Sequence, residues 1–222
     1  MKIDPDGIKL FGLFFALAVI CWGGYYFFGW GALRWAGGLL LLLLFFTLSF
    51  FRDPEREIPE GEGIVVSAAD GKVIDASLIK ADGFGESGAL RIAVFMNVVN
   101  VHVNRSPVDG RVLTVIHRNG KKLSAYNKNA EYENEHGDTD IESRWGLVRV
   151  RQIAGLVARR VVTRVKTSDE LKKGGRIGII RFGSRVDVFL PPEFRSAVKP
   201  GDHVRAGESI IAVFDGEKKL EK

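Results

Sequence analysis

Two long apolar runs open the chain, from about Ile8 to Phe28 and from about Leu33 to Phe51, and beyond them apolar and polar positions alternate in short stretches. The first pattern predicts helices, the second strands. A helix needs about 20 apolar residues to cross a bilayer, so the first run qualifies and the second is just long enough. Arg34 is the only charged residue between Phe11 and Phe51; Gly29, Gly31, Gly37 and Gly38 surround the join, and Trp30 and Trp35 suit a membrane interface. Residues 1–51 therefore read as a membrane hairpin of two hydrophobic helices. Lys2 and Lys9 precede it and Arg52 and Arg56 follow it, which puts both ends, and whatever comes next, on the cytoplasmic side. A hairpin lying in the interface competes with a spanning one, because Arg34 and the glycines interrupt the second run. A cleaved signal peptide fits poorly, since two long runs arrive in tandem.

Residues 52–63, within FRDPEREIPEGEG, form a charged, proline-bearing linker. Residues 64–222 predict a mainly β domain: strand-like runs cover 64–67, 71–78, 90–95, 110–117, 146–153, 157–165, 177–182, 186–190 and 209–214, punctuated by Gly, Asp, Asn or Pro. Two stretches, VVSAADGKVIDA and VKPGDHVRAGESIIAVFDG, each set a polar turn between short strands, like halves of one pattern. A small β-sandwich of the barrel-sandwich-hybrid kind is the expected scaffold. The polar segment YNKNAEYENEHGDTD reads as an exposed loop.

Composition narrows the chemistry. The formal charge of +5 suits an anionic lipid surface, and no nucleic-acid-binding motif accompanies it. Cys21, inside the first apolar run, is the only cysteine, which removes disulfides, thiolate catalysis and cysteine zinc sites; no metal site is expected. Four histidines remain, and His102, at the end of a strand-like run in FMNVVNVHVNRSPVDG, is the best placed for acid–base work, against a half-buried structural role. Asp70 in SAADGKV either orients a reacting group or caps its own turn. Arg105 either grips a phosphate or carboxylate or is a solvated surface residue.

Gly183-Ser184, in GGRIGIIRFGSRVDVFLP, falls at a kink between two strand-like runs. A hydroxyl there can attack the carbonyl before it, turning the peptide into an ester whose elimination leaves dehydroalanine and then a pyruvoyl group. A plain glycine bulge is the other reading. Taken together, SAADGKV, FMNVVNVHVNRSPVDG, QIAGLVARR and RFGSRVDVFLP resemble the short, membrane-attached form of the phosphatidylserine decarboxylase proenzyme family, from FFRDPERE to about Asp215.

The resemblance implies cleavage between Gly183 and Ser184 into a β chain of residues 1–183 and an α chain of residues 184–222, which stay paired and leave room for a homo-oligomer. Ser184 becomes a covalent pyruvoyl cofactor that forms a Schiff base with phosphatidylserine, releasing CO2 and phosphatidylethanolamine. His102 matches a histidine of the catalytic centre and Asp70 an aspartate that assists cleavage. Longer members carry a second histidine where this chain has Arg105, so a complete Asp-His-Ser relay does not carry over, and Arg105 is expected to bind the substrate. A membrane adaptor with a barrel-sandwich hybrid lacks the helical insertion it would need, and a pyruvoyl decarboxylase of a soluble amino acid leaves the hairpin unexplained.

Overall fold

The computed structural model describes residues 2–121, 123, 130–155, 160–181 and 184–216. Gly183, one side of the candidate bond, lies outside them. The chain divides into two compact units, Met1–Glu55 and Arg56–Lys222.

The first unit runs β1 (Lys2–Ile3), α1 (Pro5–Phe28), α2 (Gly31–Phe50), β2 (Arg52–Asp53). Asp4 caps α1, its carboxylate accepting from the Asp6 N–H at 3.0 Å, and Pro5 presets the first turn. Gly29 ends the helix at φ 69°, a left-handed conformation that glycine adopts at little cost. With so short a connection the helices must run antiparallel, and small residues let them close: a Cβ at Gly37 would fall 2.6 Å from the Trp22 indole. β1 pairs with β2, which brings both ends of the hairpin to one side. At ~1.5 Å per residue the helices are about 36 and 30 Å long, enough for a hydrocarbon core of about 30 Å. Their exposed side chains are apolar nearly all round, the surface expected of helices in lipid. Arg34 lies in the first turn of α2, its guanidinium over the Trp35 ring at 5.3 Å, so the charge marks the turn end of the hairpin and leaves the middle of the run apolar.

The second unit is mainly β, a curled half-barrel sheet with two smaller sheets. Its elements are β3 (Ile64–Val66), β4 (Gly71–Ile79), β5 (Ala89–Met96), β6 (Val103–Arg105), β7 (Gly110–Arg118), α3 (Ala130–Glu133), β8 (His136–Ser143), β9 (Gly146–Ala154), β10 (Arg160–Thr163), β11 (Glu170–Leu171), β12 (Arg176–Arg181), β13 (Ser184–Leu190), β14 (Phe194–Ser196), β15 (His203–Val204) and β16 (Ile210–Phe214). Eight strands form the antiparallel main sheet in the order β11-β7-β8-β9-β13-β5-β4-β15, and β10-β12-β6 and β14-β16-β3 form the others. The two similar sequence halves pair with each other, β4 with β15 and β3 with β16. Gly71 is required where it stands, because a Cβ there would fall 2.1 Å from the Phe95 carbonyl oxygen on the neighbouring strand.

One expectation is overturned. The polar segment read as an exposed loop becomes, from His136 onward, the buried strand β8 in the main sheet. Its alternation of His136, Asp138 and Asp140 with Gly137, Thr139 and Ile141 is strand periodicity with carboxylates where apolar residues were sought. Residues 126–129 of that segment lie outside the described residues, as do 157–159 of the strand read over 157–165.

Register assigns opposite chemistry to the two faces of the central strands. Val186, Val188 and Leu190 of β13 stand opposite Val94, Ile92 and Leu90 of β5, and these join Val148, Val150, Ile177, Ile180 and Ile211 in one apolar core shared by all three sheets. By the two-residue period Ser184 points the same way. Arg185 and Asp187 point the other way.

Candidate active site

Ser184 is the first residue of β13, between Met96 at the end of β5 and Ala154 at the end of β9. It is fully buried, and its hydroxyl donates to the Met96 sulfur at 3.2 Å. Behind the sulfur runs a string of polar side chains through the core: Asn104 Nδ2 reaches Met96 Sδ at 3.7 Å, Gln152 Nε2 donates to Asn104 Oδ1 at 2.7 Å, and the Thr163 hydroxyl donates to Gln152 Oε1 at 3.0 Å. Asn104 and Gln152 are also fully buried. Each amide satisfies the next, so its orientation is fixed and its burial compensated.

His102 is fully buried between β5 and β6. Its Nδ1 lies 3.0 Å from the Asn100 carbonyl oxygen, which can only accept, so Nδ1 carries the proton and Nε2 is the basic nitrogen. The Ile180 N–H donates to the His102 carbonyl at 3.4 Å, which sets the histidine beside the strand leading into Ser184. Asp70 directly precedes β4, two strands from Ser184 across β5. Both of its carboxylate oxygens accept from Arg56 Nη2, at 2.9 and 2.8 Å, and Oδ1 also accepts from the Ala206 N–H at 2.8 Å. Arg56 also reaches Glu208 at 3.3 Å. The carboxylate of Asp70 is thus held by Arg56 and the Ala206 N–H. Arg105 is buried in β6 and donates to the Gly174 carbonyl at 2.9 Å, beside the turn that carries Gly207. The structure therefore brings Ser184 and His102 to one end of the sheet, and Asp70, at that same end two strands away, joins Arg105 in the arginine-rich cluster around residues 205–208.

The phosphatidylserine decarboxylase family model matches residues 43–212. The chain belongs to the phosphatidylserine decarboxylase family. A phosphatidylserine decarboxylase proenzyme of Zymomonas mobilis subsp. mobilis is 40% identical over 226 residues, covering 98% of this chain and 89% of that protein. One of Oleidesulfovibrio alaskensis is 40% identical over 220 residues, covering 95% and 94%. A protein of Methanococcoides burtonii is 48% identical over 172 residues, covering 78% and 77%, and its given name proposes an archaetidylserine decarboxylase proenzyme.

In this member of the decarboxylase family, five residues near the candidate site escape sequence reasoning. Met96 carries no catalytic signal, and the strand read over 90–95 stops one residue short of it. Asn104 and Gln152 look like surface amides until β6 and β9 are placed. Arg56 lies in a segment read as linker, yet its side chain is buried against Asp70. Asn134 is a further one: fully enclosed, its side chain exchanges hydrogen bonds with Leu123 N–H and carbonyl, both at 2.8 Å, and donates to the Ala154 carbonyl at 2.7 Å, bracing the neighbour of Ser184. Its signal was the Glu- and Asn-rich stretch AEYENEHGD.

The other face of the sheet carries a lattice of ion pairs: Arg149 with Asp140, Arg151 with Asp138, Arg185 with Asp187, and Arg91 with Asp75 and Glu131. Glu131, on α3, also reaches Arg185 at 3.3 Å. Burial pushes the carboxyl of Asp187 up to about 6, against the opposing pull of Arg185 and with a smaller upward push from Glu131. The native state then holds that proton more tightly than the unfolded chain does. The stabilisation is full below the unfolded value, near pH 4, and is lost as pH rises through about 6. Thermal midpoints should show this by difference: relative to Asp187→Asn, the unsubstituted protein loses ground between about pH 4 and 6 and holds level above. A difference independent of pH would mean that Asp187 does not titrate in the native state.

Proposed function

We propose that this chain is a proenzyme that cuts itself between Gly183 and Ser184 and, as the processed pair, converts phosphatidylserine into phosphatidylethanolamine and CO2. The observation that carries this reading is the Ser184 hydroxyl, fully buried at the head of a central strand with a thioether as its acceptor. Sulfur is a weak acceptor, so the hydroxyl gives up little in turning toward the carbonyl carbon of Gly183. Attack there breaks the peptide C–N bond and forms an ester. Removal of the Ser184 α-hydrogen then expels the carboxylate of Gly183, and water replaces the nitrogen as ammonia. The result is a pyruvoyl group at the head of the α chain.

The residues around Ser184 fit that group. Its methyl takes the place of the serine Cβ, among Met96 and Ala154, and the hydroxyl that needed an acceptor is gone. A pyruvoyl ketone supplies an electrophile for the substrate amine and a sink for the electron pair left when CO2 departs. His102, with Nε2 basic, is the group assigned to proton transfer. Asp70 and Arg56 lock the 205–208 turn, and Arg105, fixed on the Gly174 carbonyl, braces the same region. The anchored hairpin keeps the enzyme at the bilayer that holds its substrate, with the catalytic domain on the cytoplasmic side.

Met96 gives a test of the maturation step. Met96→Leu keeps the volume, so the fold should cost less than about 1.5 kcal/mol. Without the sulfur the hydroxyl no longer has an acceptor to leave before attack, and processing, followed on denaturing gels, should quicken by up to about fivefold, the worth of one weak hydrogen bond of about 1 kcal/mol. Turnover of the fraction already cut should stay within about twofold, because leucine packs against a methyl as well as methionine does. Equal losses in both steps would return Met96 to a purely structural role.

The function itself is tested by supplying the purified protein with vesicles of phosphatidylserine and, separately, archaetidylserine, and measuring CO2 and the ethanolamine lipid formed. Cyanoborohydride should fix the substrate amine onto the α chain. The Methanococcoides relative motivates the second lipid, which shares the serine head group. Release of CO2 from free serine alone would overturn the lipid assignment.

A further inference from the structure

We propose that the turn Asn97–Asn100 is a bilayer contact of the catalytic domain, with Val98 and Val99 entering the membrane interface and seating the Ser184 end of the sheet on the lipid surface. The proposal rests on the reading that the substrate is a membrane lipid. Val98 and Val99 are 43% and 66% exposed in a domain whose other valines are mostly buried. The turn that presents them satisfies three of its four backbone N–H groups internally: Asn97 N–H donates to Asn100 Oδ1 at 2.9 Å, Val99 N–H to Asn97 Oδ1 at 3.0 Å, and Asn100 N–H to the Asn97 carbonyl at 3.1 Å. A turn closed in this way carries most of its donors out of bulk water already bonded, which favours the entry of apolar residues at a tip into a lipid interface.

Its place in the fold ties it to the chemistry. One end of the turn is Met96, the acceptor of the Ser184 hydroxyl, and the Asn100 carbonyl holds Nδ1 of His102. Strand register extends this end across the sheet: Arg118, His136, Ile153, Arg185, Phe95, Lys72 and His203 are successive partners on one row. Lys72 and Arg118 are exposed there, and Lys121, Arg160 and Arg181 follow the same strand ends, against Glu133 and Glu135. An excess of cations flanking an apolar tip matches an anionic lipid surface. Two valines are far too small for a stable protein interface, which buries about 1,200–2,000 Å². A tethered domain that only needs orienting at a bilayer requires no such area.

The full-length protein in phosphatidylserine-containing vesicles provides the test. With Cys21→Ser removing the only cysteine, an environment-sensitive dye is placed at Val99→Cys and, as control, at Leu78→Cys. Leu78 is 64% exposed at the opposite end of the sheet. The dye at position 99 should shift to the blue and be quenched by lipids brominated on their chains, while the dye at 78 should do neither. Absent quenching at 99, or equal quenching at both, overturns the proposal. The double variant Val98→Asp, Val99→Asp should be processed normally and lose about tenfold in turnover on vesicle lipid, with turnover on detergent-dispersed lipid unchanged. Equal rates on the two forms of substrate, whether retained or lost, also overturn it. If the unsubstituted protein releases no CO2 from either form, the decarboxylase reading fails, and the quenching result still decides the bilayer contact.

Discussion

Ser184→Ala is expected to leave a single uncut chain of about 24.6 kDa and to abolish CO2 release. The substitution removes one oxygen whose hydrogen bond goes to a sulfur, and alanine fits the space between Met96 and Ala154. Folding should therefore be nearly untouched, with a thermal midpoint close to that of uncut wild-type protein. The chemical loss is total by comparison. Neither the ester nor the elimination has an oxygen to proceed through, and no other side chain at this position supplies a ketone. Intact mass, an α chain blocked to N-terminal sequencing in the wild type, and CO2 release each report on it. Decarboxylation by an uncut Ser184→Ala chain would place the electrophile elsewhere.

His102→Ala carries the second large effect. General acid–base groups contribute about 10²–10⁴-fold, and a loss of that size in turnover is expected. The imidazole is oriented by the Asn100 carbonyl at Nδ1, so His102→Gln, which can keep a contact to that carbonyl but cannot shuttle a proton, should fail nearly as badly. Comparing processing with turnover assigns the step. Normal cleavage with lost turnover puts His102 in the decarboxylation cycle, and blocked cleavage puts it in maturation. Activity within a few-fold of wild type in both steps would make it a buried structural histidine.

How far the sequence spoke depended on whether a residue's role is local. The hairpin was legible because a long apolar helix is a property of one continuous run, and the turn glycine at position 29 and the capping Asp4 are local signals too. Ser184 was singled out only when four separate motifs were read together, since its immediate neighbours in RFGSRVDVF suit a plain glycine bulge as well. The string from Thr163 to Met96 was not, because it joins β10, β9, β6 and β5, and only strand order brings four such distant residues into one line. β8 was misjudged for a related reason. Asp138 and Asp140 look solvent-bound until Arg151 and Arg149 are known to stand opposite them. Arg105 and Asp70 were found as motif residues, while their partners Gly174 and Arg56 were supplied by folding alone.

β13 lies between β5 and β9 and is paired along both edges, and β15 and β16 each pair with strands from before the proposed cut. If the chain is cut as proposed, every one of those pairings is made while the polypeptide is still continuous, when the cost of bringing the pieces together is that of closing a loop. Once the bond after residue 183 is broken, the same architecture becomes an encounter between two solutes, one of them a short segment with no core of its own. The mature enzyme would then persist because it is slow to come apart, with no ready route back after it has done so. A cell could not salvage an unfolded copy by refolding it, and would have to translate the gene again.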